Sequence, residues 1–201
     1  MELVKIIIFA VVAGLVLFNL YNVLGRRVGR QPGQDGEPLP APIDVTPQPV
    51  ERPNQADAPG LALLKAREPN FDAAKFLEGA RQAYQTIVTA FSAGDRDTLR
   101  PLLSPAVDAS FEAAITEREA QGRSQSTEFL HPPRADLELI EVEGDKARAR
   151  VRFLAELRTR SKGPEGEAVD DRRTAELWTF ERPVGASNPN WILAKVEAAE
   201  A

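Results

Sequence analysis

Residues 147–158 read ARARVRFLAELR, and this stretch decides the fold. Ala147, Ala149, Val151, Phe153, Ala155 and Leu157 alternate with Arg148, Arg150, Arg152, Leu154, Glu156 and Arg158. Successive side chains of a strand point to opposite faces, so this period of two describes a strand with one apolar and one charged face. Such a strand belongs in an antiparallel sheet with a single side packed on the core. Cross-strand pairing with carboxylates such as Glu138, Glu156 and Glu176 is the plain account of the arginine row. An acidic partner or lipid head group is the sharper alternative.

The flanking sequence supplies the rest of the sheet. Thr127–Leu130 reads as a short strand broken by Pro132-Pro133, and Asp136–Glu143 (DLELIEVE) as a second strand ending in a Gly144-Asp145 turn. The run SKGPEGEAVDD from Ser161 reads as a loop. Two more strands follow, Arg173–Arg182 and Trp191–Glu197.

Ahead of the strands the period is that of helices. From about Asp72 to Ala93, the residues Phe76, Leu77, Ala80, Tyr84, Ile87, Val88 and Phe91 recur at spacings of three and four. Asp72 is the expected N-cap and Gly94 the stop. Asp95 is expected to cap a short helix over Asp97–Leu103 that bends near Pro101. Ser104-Pro105 opens a third helix to about Gln121, with Val107, Phe111, Ala114 and Ile115 inward and Gly122 closing it. Helices followed by a meander of strands describe an α+β fold.

Upstream lies a stretch of different character. Gln31–Gly60 holds eight of the chain's 16 prolines and few large apolar residues. Such a stretch cannot bury enough to offset its ordering entropy, so a flexible, partly polyproline spacer is expected. Gly60–Asn70 carries Leu61, Leu63 and Leu64 and is expected to form a short helix resting on the domain. Domain boundaries by composition are 1–30, 31–66 and 67–201.

Ile6–Leu24 reads IIIFAVVAGLVLFNLYNVL, without a charge, long enough in a helix to cover a hydrocarbon core of about 30 Å. A cleaved signal peptide would need a stronger cationic start, a shorter core and a small-residue cleavage site, which this run lacks. A buried core helix would be shorter and would carry a polar stripe. A retained transmembrane anchor is therefore expected. Arg26, Arg27 and Arg30 follow it, against Lys5 and the α-amino group before it. By the positive-inside rule the N-terminus is outside and the bulk of the chain cytoplasmic.

Composition removes several function classes. The 201 residues carry a formal net charge of −5, and a nucleic-acid-binding domain normally shows a basic excess. With no cysteine, disulfides, thiolate chemistry and Cys-based zinc sites are excluded. The single histidine, His131, lacks partner ligands in sequence and reads as a surface residue before a proline break. No GxSxG, Walker, GxGxxG or EF-hand pattern occurs. The expectation is a non-enzymatic protein without cofactor or metal.

A span ending in YNVLGRR, a Pro-rich spacer, FLEGARQAYQTIVTAFSAGD, LRPLLSP, ITEREAQG, WTFER and NPNWIL, in that order, resemble a bacterial member of the Tim44-like family. That family is named for the mitochondrial inner-membrane subunit that tethers the matrix chaperone to the import channel. The resemblance implies helices packed on a curved antiparallel sheet, similar to NTF-two-like cones. It also implies a sizeable apolar groove and association with anionic, cardiolipin-containing membrane. It places the chain at the bacterial inner membrane as an adaptor. The long N-terminal region that engages chaperone and channel in the mitochondrial relative is replaced here by the span and spacer.

Two function classes follow. As an adaptor, the cytoplasmic domain would bind a protein segment or anionic lipid, in protein translocation, membrane-protein assembly or chaperone recruitment. Its groove would be lined by some of Phe76, Tyr84, Phe91, Trp178, Phe180 and Trp191, with Arg26, Arg27 and Arg30 meeting lipid head groups. As an enzyme or small-ligand binder, it would need a buried acid in the groove, and the candidates are Asp136, Glu138 and Glu176. Their places in alternating strands are expected to turn them to water.

Overall fold

The computed structural model describes residues 58–199, apart from 187 and 189. The expected transmembrane run, its arginine flank and most of the spacer lie outside the described residues. Among the described residues no helix is long and apolar enough to cross a membrane.

Among the described residues four α-helices precede five strands. They are α1 (Leu61–Arg67), α2 (Ala73–Ala93), α3 (Arg96–Leu99, continuing as a 3₁₀ turn over Arg100–Leu102) and α4 (Pro105–Ala120). The strands are β1 (Ser124–Phe129), β2 (Arg134–Glu143), β3 (Lys146–Gly163), β4 (Gly166–Pro183) and β5 (Ile192–Ala198). All pair antiparallel in one sheet. The helices pack on one face of that sheet, which is the α+β architecture the sequence describes.

The helix ends follow their caps. Asp72 accepts from the amides of Ala74 (2.9 Å) and Lys75 (3.1 Å), which satisfies donors that have no partner within the helix. Gly94, at φ 76°, closes α2 in a conformation that costs a side chain energy but not glycine. Asp95 caps α3 through the Thr98 amide, and Ser104 caps α4 through that of Val107. Ala114 is exposed, not inward, so the inner stripe of α4 is only Val107, Phe111 and Ile115.

β3 organises the sheet. On one side its first half pairs with β2 and its second half with β1; on the other side it pairs with β4 along its whole length. The even-numbered residues of β3 carry the charge and the odd-numbered ones the core, with Val151 and Phe153 fully buried. Tyr84 of α2 stacks on Phe153, centroids 4.3 Å apart and planes 5° apart, and meets Trp178 edge-on at 4.7 Å.

The stretch after Ser161 corrects the sequence reading. It is not a loop: β3 runs on to Gly163, Pro164-Glu165 makes a two-residue turn, and β4 begins at Gly166. Both faces of this extension are solvated, so the alternation that marks a half-buried strand never develops. Cross-strand pairs hold it instead, including Arg158 on Asp171 through two bonds of 2.7 and 2.6 Å.

α1 rests on the sheet as expected. Leu61 and Leu64 are buried, and the Ile140 amide donates to the carbonyl of Pro59 at 2.8 Å. Gly60 lies so close to β2 that a Cβ there would sit 1.7 Å from the Ile140 carbonyl oxygen. The packed unit therefore reaches further toward the N-terminus than the composition boundary between 66 and 67.

Replacing Phe153 by alanine removes the ring on which Tyr84 lies. The expected cost is about 3–5 kcal/mol, read from urea unfolding followed by the fluorescence of buried Trp178.

Candidate functional site

The first half of α2 and the far end of β4 line a groove of about 780 Å³. That volume is in the range of small-molecule and peptide-anchor sites. Its floor is aromatic. Phe76 lies edge-on to Trp191 at 4.9 Å and to Phe180 at 6.2 Å, and Phe71 closes on Phe76 at 5.9 Å. Gly79, Ala80 and Ala83 form the helix wall, and their small side chains keep the space open.

At one end the aromatic floor meets a buried cation. Arg182 lies with its guanidinium carbon 5.0 Å from the Trp191 ring centroid and is paired with Glu68. Glu68 also accepts from the Gly185 amide at 2.8 Å. An isolated buried charge is costly, so removal of either partner would leave the other uncompensated. The Arg182 Nε atom is buried with no hydrogen-bond partner among the described residues. Asp72 and Lys75 stand at the rim, so Arg182 and Lys75 balance Glu68 and Asp72 in formal charge.

The six aromatic residues expected to line a groove divide into three groups. Phe76, Phe180 and Trp191 line it. Tyr84 and Trp178 are core residues at 0% and 2% exposure and are not among its lining. Phe91 lies at the other end of α2, against Phe111 at 4.5 Å and under Arg118. The sequence reading missed Phe71, Glu68 and Arg182. Phe71 stands outside the helical period, and Glu68 and Arg182 are 114 residues apart.

The three acids considered for catalysis also differ. Asp136 pairs with Arg134 at 2.8 Å, and Glu138 accepts from Arg152 at 2.6 Å, both on the face of the sheet away from the helices. Glu176 contradicts the expectation that it faces water. It shares the inner face with Trp178 and Phe180, accepts from Trp178 Nε1 at 3.0 Å, and is hydrogen-bonded by the Tyr84 hydroxyl. Burial raises its pKa above the ordinary carboxyl range, and those two hydrogen bonds oppose the rise. Burial, and then the Glu176 charge, push the Tyr84 hydroxyl well above its usual value. Glu176 is not among the groove residues.

The arginine row pairs mainly as the plain account holds, though with other partners in part. Arg148 meets Glu143 and Glu181, and Arg150 and Arg152 converge on Glu138. Glu156 pairs with Arg173. His131 is exposed, 3.6 Å from Glu156.

A Tim44-like domain model matches residues 58–198, the whole of the packed unit. The chain belongs to this family. Among solved structures, the Tim44-like domain is similar to the intermembrane space region of chloroplast protein ARC6, at 16% identity. That likeness covers 66% of this chain and 100% of the other, with a TM-score of 0.49. It is also similar to an IcmL-like type IV secretion system protein of Legionella pneumophila, at 11% identity. There the coverage is 64% and 93%, with a TM-score of 0.39. A conserved protein of Planctomyces limnophilus is 19% identical over 63% of this chain and 98% of its own, with a TM-score of 0.36. No curated protein matches the chain.

Glu176 gives the Tim44-like domain a pH signature. Its folded pKa is raised, so its contribution to stability is fully present below its unfolded value, near 4.5, and is lost as pH rises through the folded value. Glu176→Gln keeps an acceptor for Trp178 without the buried charge. The variant is expected to melt above the wild type at pH 7 and to converge with it near pH 4, measured by thermal unfolding across that range.

Proposed function

We propose that this chain is a membrane-held adaptor whose Tim44-like domain binds an apolar segment of a partner protein in the groove between α2 and β4. The aromatic floor with a charge-balanced rim supports this reading most directly. A site for an anionic head group would carry surplus positive charge. Here the two cations of the groove are offset by Glu68 and Asp72, which suits a neutral apolar stretch of polypeptide. Asn70, Gln82, Thr86 and Asn190 line the same groove and supply side-chain groups for the backbone of such a segment.

The run Ile6–Leu24 and the spacer to Gly60 are, in this reading, an inner-membrane anchor and a tether, with the domain in the cytoplasm. Arg26, Arg27 and Arg30 then lie at the lipid surface, where each contributes about 1 kcal/mol of attraction to anionic head groups. Lipid contact belongs to the flank of the span and protein contact to the groove. In this reading the domain binds rather than catalyses: Glu176 is engaged by Trp178 and Tyr84 away from the groove, and Glu68 within it is paired with Arg182. Protein translocation, membrane-protein assembly and chaperone recruitment are the processes such an adaptor would serve.

Gly79 offers a clean test, because a side chain built there meets nothing within 4 Å and would project along the groove wall. A photoreactive residue replacing Gln82 in the native membrane is expected to crosslink a discrete protein. Gly79→Leu in the same chain is expected to cut that yield at least five-fold while the melting temperature holds. No protein adduct, or an adduct that ignores Gly79→Leu, overturns the reading.

Separately, replacing Arg26, Arg27 and Arg30 together by alanine is expected to lower the phosphatidylglycerol and cardiolipin that co-purify with the chain, read by mass spectrometry. Unchanged lipid would leave these arginines with topology alone.

A further inference from the structure

β5 covers the outer edge of β4 only over Glu176–Glu181. Among the described residues no strand pairs with that edge over 166–174. An open edge offers unpaired backbone donors and acceptors on which another strand can pair, and charged side chains along it decide which partner is admitted. The charges here are of both signs and are ordered: Val169-Asp170-Asp171-Arg172-Arg173. Two acids followed by two bases let two copies pair antiparallel with Asp170 of each opposite Arg172 of the other.

β3 and β4 pair without a bulge from Gly163↔Gly166 to Lys146↔Pro183, so face and edge alternate regularly along β4. In an antiparallel ladder, alternate residues turn N–H and C=O away from their partner strand. The Ala175 carbonyl accepts from Ala199 on the outer side, at 3.0 Å, so the odd-numbered residues face that edge. Glu167, Val169, Asp171 and Arg173 therefore present the free backbone groups. A two-fold axis normal to the sheet keeps each face on its own side and must pass through a residue.

We infer that the open edge of β4 is a self-association surface, on which a second copy of this chain pairs antiparallel about a two-fold axis through Asp171. In this register Asp170 of each copy stands opposite Arg172 of the other, twice. These are positions without mutual backbone bonds, where side chains approach most closely. Val169, at 59% exposure, stands opposite Arg173, whose aliphatic stem covers it. The two Asp171 carboxylates at the axis are each already held by Arg158 of their own chain. Asp170 and Arg172 are both exposed, and Arg172 also lies near enough to Glu176 to favour its charged form.

The chain has no cysteine, so a single introduced thiol reports the register in the full-length protein in its membrane. Opposed residues at a hydrogen-bonded position lie about 5.5 Å apart at Cα, within disulfide reach. Asp171→Cys is expected to form a disulfide-linked homodimer on mild oxidation. Glu165→Cys at the hairpin turn, whose copies would lie roughly 40 Å apart, is expected not to. Val169→Pro removes an edge-facing donor without touching the β3 ladder and should abolish the dimer while the melting temperature holds. Asp170→Arg or Arg172→Asp, each in the Asp171→Cys chain, should lower dimer yield about five-fold. Co-expression of these two chains with distinct tags should restore it as the mixed pair. Equal crosslinking at 165 and 171, a disulfide that survives Val169→Pro, no recovery in the mixture, or no dimer at all overturns the inference.

Discussion

The contact between Tyr84 and Phe153 is the constraint on which the rest of this domain depends. Two flat rings lie parallel at 4.3 Å where α2 crosses β3, and Trp178 and Phe129 close on Tyr84 from the sides. Aromatic contacts of this kind add about 0.5–1.5 kcal/mol each beyond their burial. Their larger effect is geometric. They fix where along β3 the helix sits, and so which inner-face residues are covered and which are not.

The groove follows from that placement. With α2 held at its middle by Tyr84, its first half lines the groove together with Phe180 and Arg182 of β4 and Trp191 before β5. Small residues on the helix and a ring of four aromatics below leave space that the chain's own side chains do not fill. The pair of Glu68 and Arg182 closes one end and ties the segment before α2 to the sheet. A second tie runs from Arg67 to the carbonyl of Gly144. The segment joining α1 to α2 is thereby part of the groove rather than a passive connection.

Much of this was legible in the sequence, and the failures have physical reasons. The caps at Asp72, Asp95 and Ser104 were readable because each is a local event, a side chain meeting an amide two or three residues on. The core faces of α2 and β3 were readable because burial imposes a period. The outer half of the β3–β4 hairpin was not, because neither face is buried there and cross-strand ion pairs leave no period behind. The six aromatic candidates could be recognised as inward but not sorted between core and groove. That division depends on where two elements part, and Phe76 and Tyr84 look alike on the same helical stripe. Glu68 and Arg182 were invisible for the plainest reason, since nothing local couples residues so far apart in the chain.

Glu176 shows how the inner face of the sheet records the limit of its cover. Along β4, from Phe180 back through Trp178, Glu176, Thr174 and Arg172 to Asp170, the same face changes character step by step. Phe180 and Trp178 lie under α2 and are almost fully buried. Glu176 lies where that cover ends, near enough to be desolvated and near enough to accept from Trp178 and Tyr84. Thr174 still reaches the Tyr84 hydroxyl, at 3.4 Å, and Arg172 and Asp170 are in water. A carboxyl at the boundary can be half-buried because the two donors beside it are themselves core residues. The same side chain two positions further in would have lost water without gaining them, and two positions further out it would have kept its ordinary pKa. Its raised pKa is thus a property of the boundary, set by how far α2 extends over the sheet.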